Sequence, residues 1–593
     1  MLARGFAALC SAIDRRVGWD RLPPAVGIFA LIGLRSRLRA RNLHDTGLVK
    51  QPPSPPADLS ARTVDGSYND LAEPAMGSVG TRFGRNVPLQ YTHVEREPEL
   101  LDPSPRLVSQ ELLTRTEFIP ATTLNVLAAA WLQFEVHDWF SHETDKQASP
   151  FELSLADDDP WPERPMTIAR TQRDPSSDLG ERAPPVFPSY DSHWWDGSQI
   201  YGTGDAYARR VRTGEDGKLR LDETGLPPRD LDPYLDPPGI RGNFWLGLAL
   251  LHGLFMREHN AICDHLRREY PSWTDVQLYD RARLVNSAVM AKIHTVEWSP
   301  AVIAHPTTVR AMHANWHGLV GERFRRRFGR LGAGEVLSGI PGSPTEHHGV
   351  PFSLTEEFVA VYRMHPLMPD EYVLSSLGGG RPTAHSFEAV GSLRWRDRVA
   401  EVGAAGALAS LGSAHPGAIA LHNFPRFLQE FRPAPGEPAL DLAAVDVLRV
   451  RERGVPRYND FRRLFHRRPV RSFEELTRDP TTAAELERVY GSVDRLDLMV
   501  GLYAEPRPEG FAFSDTAFRV FILMASRRLN SDRFFTSDFT PDVYTRAGLE
   551  WIDRTTMVSV LLRHHPELAR VLGRVTNAFT PWPAPRPAAA SRY

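Results

Sequence analysis

Apolar residues recur at the spacing of one helix face in six long stretches of this chain. These stretches cover residues 121–141, 241–269, 276–299, 354–365, 418–431 and 513–530. Residues three and four positions apart lie on the same side of an α-helix, so each stretch predicts a helix with a buried face. The two-residue alternation of a half-buried strand is scarce. The sequence therefore predicts a mainly α fold with little β structure.

The helical stretches are expected to form one large domain with appendages at both ends. A chain of 593 residues can hold several domains, but large enzymes often form a single unit. We expect a basic and apolar N-terminal arm, a wrap rich in Pro, Ser and Gly, a large helical catalytic domain, and a Pro- and Ala-rich tail. Their predicted bounds are 1–45, 46–104, 105–578 and 579–593.

The N-terminal arm mixes basic and apolar residues. Residues 1–42 contain eight Arg and two Asp among many large apolar side chains. This mixture is typical of a segment that lies in a membrane interface, and it is equally typical of a helical arm packed on the body of the protein. Both interpretations stay open on the sequence alone.

Composition excludes several classes of protein. The net charge of −3 gives no reason to expect nucleic acid as a partner. The two cysteines, Cys10 and Cys263, form neither a disulfide framework nor a CxxC metal site. No apolar run reaches the roughly 20 residues of a membrane-spanning helix, and Arg4 and Asp14 interrupt any signal-peptide core. We expect a cytoplasmic or peripherally membrane-associated protein without a transmembrane helix.

The first chemical signal is the segment Trp131-Leu-Gln-Phe-Glu-Val-His137-Asp138. Gln133 and His137 are four residues apart and share one helix face, whereas Asp138 lies about 100° further round. Three alanines precede the segment and give a narrow surface on which a flat cofactor can lie. Taken alone, a histidine on such an apolar helix is more often a core residue than a functional one.

A second signal is the loop Ser192-His-Trp194-Trp-Asp196-Gly-Ser198. Its alternate positions point the same way if the loop is extended, and they offer hydroxyl, carbonyl and carboxylate oxygens. Ca²⁺ prefers six to eight such ligands, and Asp138 can supply a second carboxylate. The loop therefore predicts a calcium site formed by Asp138, Ser192, Trp194 (through its carbonyl), Asp196 and Ser198. An aromatic turn with solvated polar side chains is the alternative.

The third signal is the segment Glu356-Glu-Phe-Val-Ala-Val-Tyr362-Arg-Met-His365-Pro. Tyr362 and His365 are three residues apart and are predicted to share a face of a helix that ends near Pro366. A neutral imidazole is a good axial ligand for haem iron, and a tyrosine one turn away is close enough to be oxidised to a radical. A buried Tyr and His that fill a core are the alternative.

Together the three segments resemble the animal haem peroxidase and cyclooxygenase superfamily, in which they occur in the same order. Arg257-Glu-His-Asn260 and the stretch from Arg449 to Asn459 resemble two further segments of that superfamily. The closest likeness is to the plant-type fatty-acid α-dioxygenases, over roughly residues 85–575. The segments that carry this likeness are His193-Trp-Trp-Asp-Gly-Ser, Lys292-Ile-His294-Thr-Val-Glu-Trp, Val361-Tyr-Arg-Met-His365 and Leu523-Met-Ala-Ser-Arg527-Arg528-Leu-Asn-Ser-Asp.

The resemblance implies a haem-peroxidase-like helical domain that binds haem and Ca²⁺. It assigns His365 as the iron ligand, with Asp446 as the partner of its Nδ1 and Arg449 as a further cofactor-binding residue. A surface carboxylate is the alternative for Asp446. His137, with an ordinary pKa, is expected to handle the proton of a peroxide, and Gln133 to touch distal water. Arg241 matches the distal arginine of the peroxidases, with a surface Arg as the alternative.

The resemblance further implies that O₂ is added to the α-carbon of a fatty acid, which gives a 2-hydroperoxy acid. Tyr362 matches the tyrosine that becomes a radical after activation of the haem by a peroxide. His294 and either Arg527 or Arg528 match the residues that hold the fatty-acid carboxylate. Two adjacent arginines on one helix cannot both point inward, so one of them is expected to be structural.

Mammalian peroxidases attach haem through ester bonds from two acidic residues, and this chain has Val136 and Phe244 at those positions. Neither side chain can form an ester, so we expect non-covalent haem b. Two other hypotheses remain at this point. One is a haem peroxidase that oxidises small donors with H₂O₂, and the other is a non-catalytic protein that binds haem or Ca²⁺.

Overall fold

The computed structural model describes residue 10 and residues 13–14, 16–47, 50–176, 183–231, 243–432 and 438–583. About 49% of it is helical and 6% is strand, which confirms the predicted mainly α fold. The α-helices are, in chain order, α1 Pro24–Arg41, α2 Pro105–Val108, α3 Val126–Trp139, α4 Ser198–Tyr201, α5 Asp205–Val211, α6 Leu246–Glu269, α7 Asp275–Ile293, α8 Ser299–Val302, α9 Pro306–His317, α10 Glu322–Phe328, α11 Glu335–Ser338, α12 Glu356–Val361, α13 Phe387–Val390, α14 Trp395–Val402, α15 Ala404–Ser413, α16 Arg426–Gln429, α17 Leu442–Glu452, α18 Tyr458–Leu464, α19 Phe473–Leu476, α20 Pro480–Tyr490, α21 Leu498–Ala504, α22 Asp515–Asn530, α23 Pro541–Arg554, α24 Met557–His564 and α25 Ala569–Leu572.

Shorter helical turns and four strands complete the described secondary structure. The 3₁₀ turns are Trp19–Arg21, Leu89–Tyr91, Glu99–Leu101, His365–Leu367, Ser392–Arg394, Val493–Arg495 and Pro566–Leu568, and the π-helical turns are Ser109–Leu113 and His294–Trp298. Strands β1 Phe151–Leu153 and β2 Met166–Ile168 form one antiparallel pair, with Phe151 opposite Ile168. Strands β3 Glu371–Leu374 and β4 Thr383–Ser386 form another, with Glu371 opposite Ser386.

The centre of the molecule is formed by α3, α6 and α7, which pack against one another in sequence. Helix α3 is capped by Asn125, whose side chain accepts a hydrogen bond from the backbone N–H of Ala128. All residues of α3 except Gln133 and Val136 are buried. Burial of Glu135, His137 and Asp138 is costly unless each finds a partner, so these positions make α3 a candidate helix for functional side chains.

Helix α1 is packed on the body of the protein. Leu31, Leu34 and Leu38 are buried on its inner face. Arg35 and Arg39 both form ion pairs with Glu335 of α11, at 3.0 and 2.7 Å. The inner face of α1 is therefore packed on the body of the protein, which agrees with one of the two interpretations of the N-terminal arm.

At the C-terminal end, packed structure continues past the expected boundary at residue 579. Phe579 and Trp582 are buried, and the ring of Phe579 contacts that of Trp131 at a centroid distance of 5.4 Å. The rest of the predicted tail, from residue 584, lies outside the described residues.

Two predicted helices differ from the structure. Within 418–431, only Arg426–Gln429 is helical, because the backbone before it bonds to the 112–119 segment instead, as in the bridge between Phe424 and Thr114. The helix predicted to carry both Tyr362 and His365 ends at Val361, and Tyr362 is its C-cap residue. Pro366 disfavours helical backbone at His365, so His365 begins a separate 3₁₀ turn. The prediction of a shared helix face was therefore wrong.

Among the residues that the structure describes, no helix combines the length and the apolar character needed to cross a lipid bilayer.

Candidate active site

His365 and Asp446 form a hydrogen-bonded pair in the turn that follows α12. The Nδ1 of His365 donates to Oδ2 of Asp446 at 2.6 Å, and Oδ1 of the same carboxylate accepts from Nη1 of Arg363 at 2.9 Å. Burial raises the pKa of Asp446, but the charges of His365 and Arg363 outweigh burial and hold it below its ordinary value. With Nδ1 committed to Asp446, Nε2 is the ring atom left to bind a metal.

Tyr362 lies in an aromatic cluster three residues before His365. Its ring meets that of Trp139 edge-on at 5.3 Å, contacts Phe358 at 4.5 Å and stacks on Phe521 at 5.8 Å. Burial raises the pKa of Tyr362 well above its ordinary value, so the phenol keeps its proton. A buried, protonated phenol among aromatic rings cannot act as a base, but it can lose and regain a hydrogen atom.

The guanidinium of Arg528 is buried between two tryptophan rings. Its central carbon lies 4.2 Å from the ring centroid of Trp139 and 4.6 Å from that of Trp195. None of its three nitrogens has a hydrogen-bond partner among the described residues. Burial lowers the pKa of Arg528 to about 10, which still leaves it a cation at neutral pH. An unpaired buried cation is unfavourable, so this position favours an anionic ligand.

The neighbouring Arg527 has a different environment. Its Nη2 donates to the carbonyl oxygens of Val350 at 2.7 Å and Pro351 at 2.9 Å, and its guanidinium lies over the ring of Phe352 at 5.5 Å. Arg527 therefore holds the 350–353 segment in place. Because successive residues of a helix point about 100° apart, only Arg528 faces the aromatic cluster around Tyr362.

His294 lies in the same cluster as Arg528. Its ring stacks on Trp298 at 4.5 Å and meets Trp139 and Trp195 edge-on at 5.2 and 5.1 Å. Burial, followed by the charge of Arg528, holds the pKa of His294 well below its ordinary value, so the ring is neutral. Its Nδ1 accepts from Nε1 of Trp131 at 3.2 Å, which places the single ring proton on Nε2. Nε2 is thus a hydrogen-bond donor.

The segment that follows His294 adds a hydroxyl group. His294–Trp298 is a π-helical turn, in which residues five positions apart lie one above the other. The backbone N–H of Ser299 accordingly donates to the carbonyl oxygen of His294. The Oγ of Ser299 is buried and has no partner in the described part of the chain.

His137 and Gln133 of α3 both contact the segment that begins at Asn243. The Nε2 of His137 accepts from Nδ2 of Asn243 at 3.3 Å, and its Nδ1 is buried with no partner among the described residues. Gln133 accepts from Nε1 of Trp245 at 2.8 Å and donates to the carbonyl oxygen of Asn243 at 3.2 Å. Burial lowers the pKa of His137 to about 4, which corrects the expected ordinary value.

Residues 61–576 match the model of a family described as animal haem peroxidase. The protein named Alpha-dioxygenase PIOX from Pisum sativum is 39% identical, and the match covers 96% of this chain and 90% of that protein. Alpha-dioxygenase 1 from Arabidopsis thaliana is 37% identical, with 99% and 93% covered. The chain belongs to the alpha-dioxygenases of the animal haem peroxidase family. The resemblance predicted from the sequence is thereby confirmed.

Solved alpha-dioxygenase structures share this fold. The fatty acid alpha-dioxygenase of Oryza sativa is 36% identical with a TM-score of 0.90, and the similarity covers 99% of this chain and 98% of that chain. A tyrosine-to-phenylalanine variant of the rice protein, solved with palmitic acid, is 35% identical with the same TM-score and coverage. Peroxidase A from Dictyostelium discoideum, at 21% identity and a TM-score of 0.70, shares the fold.

Membership of the animal haem peroxidase family implies a haem cofactor, and the residues of this alpha-dioxygenase fit one. Nδ1 of His365 is held by Asp446, and the described residues give its Nε2 no hydrogen bond. On helix α3, Nδ1 of His137 is likewise buried without a partner among the described residues, which suits a polar ligand bound next to it. Val136 and Phe244 carry no carboxyl group that could form an ester.

The predicted calcium ligands are brought together in part. Ser192 donates through Oγ to Oδ2 of Asp196 at 2.9 Å, and Ser198 donates through its backbone N–H and Oγ to Oδ1 of Asp138 at 2.6 and 2.9 Å. Oδ2 of Asp138 is buried with no partner within the described ranges. Burial, then the charges of Asp196 and Glu135, raise the pKa of Asp138 well above its ordinary value. Two buried carboxylates that repel one another in this way fit a cation.

Other features differ from the predicted calcium site. The loop is not extended, because Gly197 takes left-handed backbone (φ 79°) and Ser198 begins α4. The indole N–H of Trp194 donates to the carbonyl oxygen of Met76 at 3.1 Å. The backbone carbonyl of Trp194 is therefore the only group of this residue that can bind Ca²⁺. No group of three or more His, Cys, Asp or Glu side chains suited to a metal is found among the described residues, so a cation at the predicted site would depend on hydroxyl and carbonyl oxygens.

The structure pairs Arg449, the expected cofactor-binding residue, with a carboxylate, and the described residues do not include Arg241, the expected catalytic arginine. Arg449 donates to Oε2 of Glu452 at 2.6 Å, one turn further along α17, and Glu452 also accepts from Thr171. Arg449 is therefore paired within the protein. Arg241 lies outside the described residues.

Sequence reasoning missed Glu135, Ser299 and Arg363. Glu135 accepts from Nε1 of Trp195 at 2.8 Å through Oε2, while its Oε1 is buried without a partner in the part of the chain described. Burial raises the pKa of Glu135 to about 8. A carboxylate in the middle of an otherwise apolar helix was the available signal for Glu135. Nothing in the sequence marks the π-helical turn that places Ser299 beside His294.

Proposed function

We propose that this alpha-dioxygenase adds O₂ to the α-carbon of a fatty acid and yields a 2-hydroperoxy fatty acid. The observation that carries the proposal is the position of Arg528. Its buried guanidinium makes no hydrogen bond to a described residue. The guanidinium and the ring of Tyr362 both contact the ring of Trp139. A carboxylate held by Arg528 therefore brings the adjacent carbon to the neighbourhood of the phenol.

The carboxylate is bound by charge and by donated hydrogen bonds. Arg528 supplies a planar guanidinium that can bind both carboxylate oxygens. Nε2 of the neutral His294 is a further donor in the same cluster, and the buried Oγ of Ser299, without a hydrogen bond to a described residue, lies one π-helical turn further along the chain. Burial of these groups strengthens each interaction, because little water is present to screen it. The two faces of Arg528 are closed by Trp139 and Trp195, which orients the guanidinium plane.

Tyr362 is proposed to act as a radical. The C–H bond beside a carboxylate is too weakly acidic for a side-chain base, whereas a tyrosyl radical can take its hydrogen atom. The O–H bond of Tyr362 forms as the C–H bond breaks, and O₂ adds to the carbon radical. The peroxyl radical then takes the hydrogen atom back from Tyr362, so the hydroperoxide forms and the tyrosyl radical is restored. The aromatic neighbours of Tyr362 keep water and external reductants away from its phenol group.

Haem b, held without covalent bonds, completes this proposal. His365 would bind the iron through Nε2, and Asp446 would make the imidazole a stronger electron donor. When bound, the haem supplies the oxidising equivalent that first converts Tyr362 to its radical, with a peroxide as activator. His137, which is neutral because of its burial, is able to take up the proton of that peroxide.

A structural Ca²⁺ is also part of the proposal. Asp138 and Asp196 would supply carboxylate oxygens, Ser192 and Ser198 hydroxyl oxygens, and Trp194 its carbonyl oxygen. Support comes from the uncompensated carboxylate oxygen of Asp138 and the mutual repulsion of the two carboxylates. Because Asp138 is on α3 and next to His137, a bound cation would fix the distal helix against the 192–198 loop.

The proposed function also includes peripheral contact of the protein with a membrane. The outer face of α1 exposes Val26 and Phe29, although its inner face is packed on the protein. Fatty acids partition into lipid, so an enzyme that binds a lipid surface meets its substrate there.

The haem-loaded protein should consume O₂ when palmitic acid is added in an oxygen electrode. Mass spectrometry should identify a 2-hydroperoxy acid as the product. No O₂ uptake, with oxidation of guaiacol by H₂O₂ intact, would favour a haem peroxidase that oxidises small donors. Bound haem with neither activity would favour a non-catalytic role.

A further inference from the structure

One of the ring neighbours of Tyr362 is able to reduce a radical on its phenol. Three described rings contact Tyr362, and two of them, Phe358 and Phe521, are much harder to oxidise than a phenol. The third belongs to Trp139, an indole that loses an electron about as readily as tyrosine does. Its ring meets that of Tyr362 edge-on, with the centroids 5.3 Å apart. Trp139 is therefore the route by which the radical could leave Tyr362.

A second indole extends this route. The ring of Trp195 meets that of Trp139 at a centroid distance of 5.7 Å and an angle of 87° between the ring planes. Both indoles are buried. A radical that reached Trp139 could therefore move on to Trp195, one step further from Tyr362. In the proposed reaction the radical returns to Tyr362 in every turnover, so its loss along this route would end catalysis.

The loss moves one electron and one proton in total. Trp139 gives an electron to the tyrosyl radical and becomes a radical cation, and the phenol of Tyr362 takes up a proton to restore its O–H bond. The indole balances the exchange when its N–H proton leaves, which gives a neutral tryptophanyl radical. Nε1 of Trp139 is buried and has no acceptor among the described residues. An oxidised Trp139 would therefore keep its positive charge in buried surroundings, which is unfavourable.

The guanidinium of Arg528 lies against both indoles. Its central carbon is 4.2 Å from the ring centroid of Trp139 and 4.6 Å from that of Trp195. A cation in this position is attracted by the electron-rich face of a neutral indole and is repelled by an indole radical cation. No described residue accepts a hydrogen bond from the guanidinium, so no bonded anion offsets its charge. At such distances the repulsion between two unit charges changes an equilibrium by more than roughly tenfold.

We propose that Arg528 confines the radical to Tyr362 by making Trp139 and Trp195 difficult to oxidise. The inference rests on the proposed function, in which Tyr362 carries the radical and Arg528 binds the substrate carboxylate. It concerns the interval between activation by a peroxide and the arrival of a fatty acid, when no carboxylate offsets the charge of Arg528. During that interval Arg528 has a positioning role, because it acts on the radical only through the two indole rings.

The surroundings of Trp195 lead to the same result. Its Nε1 donates to Oε2 of Glu135 at 2.8 Å, so Glu135 is the group that could take the indole proton. Burial raises the pKa of Glu135 to about 8, so its carboxyl group is neutral at neutral pH and accepts a proton poorly. Within the described part of the chain, neither indole has an effective base. Both the charge of Arg528 and the lack of a base therefore oppose oxidation of the pair.

The test is freeze-quench electron paramagnetic resonance of the haem-loaded full-length protein, mixed with H₂O₂ at neutral pH without fatty acid. Labelling with ring-deuterated tyrosine or ring-deuterated tryptophan identifies the radical, because only the matching label alters the hyperfine structure. The wild-type signal should respond to labelled tyrosine alone. Arg528→Met keeps a long side chain but removes the charge, and it should raise the ratio of tryptophan to tyrosine radical at least about tenfold.

Matched variants separate the charge of Arg528 from a general effect of substitution. Arg528→Met/Trp139→Phe should return to a signal from tyrosine alone, since the first indole of the route is gone. Arg528→Lys keeps a positive charge and should give a lower ratio of tryptophan to tyrosine radical than Arg528→Met. Arg527→Met removes the buried cation over Phe352 on the same helix and should match wild type. A signal from tyrosine alone in Arg528→Met would overturn the proposal, as would an equal tryptophan signal in Arg527→Met.

A second measurement leaves Arg528 in place, so it does not depend on the folding of an Arg528 variant. In Trp139→Phe, the tyrosine signal should decay at the wild-type rate, because the route through Trp139 is already closed in wild type. Decay that is several-fold slower in Trp139→Phe would show that wild type loses its radical through Trp139, and it would overturn the proposal. No tyrosine radical in wild type would contradict the proposed function and this inference together. A tyrosine radical of equal yield in wild type and Arg528→Met would contradict the confinement alone.

Discussion

His365 and Asp446 are joined by a hydrogen bond of 2.6 Å, and Arg363 holds the other oxygen of the same carboxylate at 2.9 Å. This arrangement keeps Asp446 ionised although it is buried. An anionic partner on Nδ1 gives the imidazole more electron density than a carbonyl or amide partner would. The electronic character of a haem iron bound by His365 would therefore depend on a residue 81 positions further along the chain.

Asp446→Asn should weaken this electron donation. We expect the ferric–ferrous midpoint potential of the haem to rise and fatty-acid oxygenation to fall about 10–100-fold, as is common for residues that orient a metal ligand. A spectroelectrochemical titration measures the potential. Glu452→Gln, on the same helix but paired with Arg449, should leave the potential unchanged. An unaltered potential in Asp446→Asn would mean that Asp446 does not act through the iron ligand.

Arg528→Gln should impair substrate binding without unfolding the protein. Loss of a buried charged partner costs about 2–5 kcal/mol, so KM for palmitic acid should rise roughly 30-fold or more. Arg527→Gln is the matched comparison. It should lower the melting temperature, because it removes donors to the carbonyl oxygens of Val350 and Pro351, and it should leave KM close to wild type. The reverse pattern would assign the carboxylate to Arg527.

Glu135 should make substrate binding dependent on pH. Burial raises the pKa of Glu135 to about 8, so the side chain is neutral below that pH and negative above it. The negative form competes with the substrate carboxylate for Arg528, and KM should therefore rise as the pH increases through about 8. In Glu135→Gln this rise should disappear. A KM profile that is the same in both proteins would remove Glu135 from the site.

The same ionisation affects folding. The pKa of Glu135 in the folded protein lies above the ordinary value of 4.5, so its contribution to stability is full below about pH 4.5 and is lost as the pH rises through about 8. Glu135→Gln should accordingly flatten the decrease in melting temperature over that range.

Removal of Ca²⁺ should destabilise the protein. Without a cation, Asp138 and Asp196 repel each other in a buried site, so EDTA should lower the melting temperature by several degrees. Added Ca²⁺ should restore it, and Mg²⁺ should not, because its strict octahedral geometry suits this irregular set of oxygens poorly. Asp196→Asn should no longer respond to either treatment. A wild-type melting temperature that ignores EDTA and Ca²⁺ would contradict a calcium site.

Part of this account could be predicted from the sequence. Helices α3, α6, α7 and α22 are long and most of their residues are buried, so the apolar stretches of the sequence were enough to predict them. The pairing of His365 with Asp446 was expected from the resemblance, and the structure places the two residues in contact. The choice between Arg527 and Arg528 was open, because it depends on the rotation of α22 relative to neighbours that are distant in sequence.

Other features depend on tertiary contacts that a linear pattern does not contain. The stretch 418–431 has helical spacing, but outside Arg426–Gln429 it consists of turns and bends, with a bridge between Phe424 and Thr114. The end of α12 at Val361 reflects Pro366 and the packing of Tyr362, which separate Tyr362 from His365. The low pKa of His137 follows from burial on all sides, and a single helix cannot reveal that.

The central claim is that Tyr362 removes hydrogen from the substrate. Its most direct test is Tyr362→Phe, which keeps the ring and its contacts with Trp139, Phe358 and Phe521 but removes the hydroxyl group. With haem bound, we predict an unchanged Soret band and unchanged guaiacol oxidation, together with no detectable O₂ uptake on palmitic acid. Oxygenation of palmitic acid at a rate close to wild type by Tyr362→Phe would contradict the account.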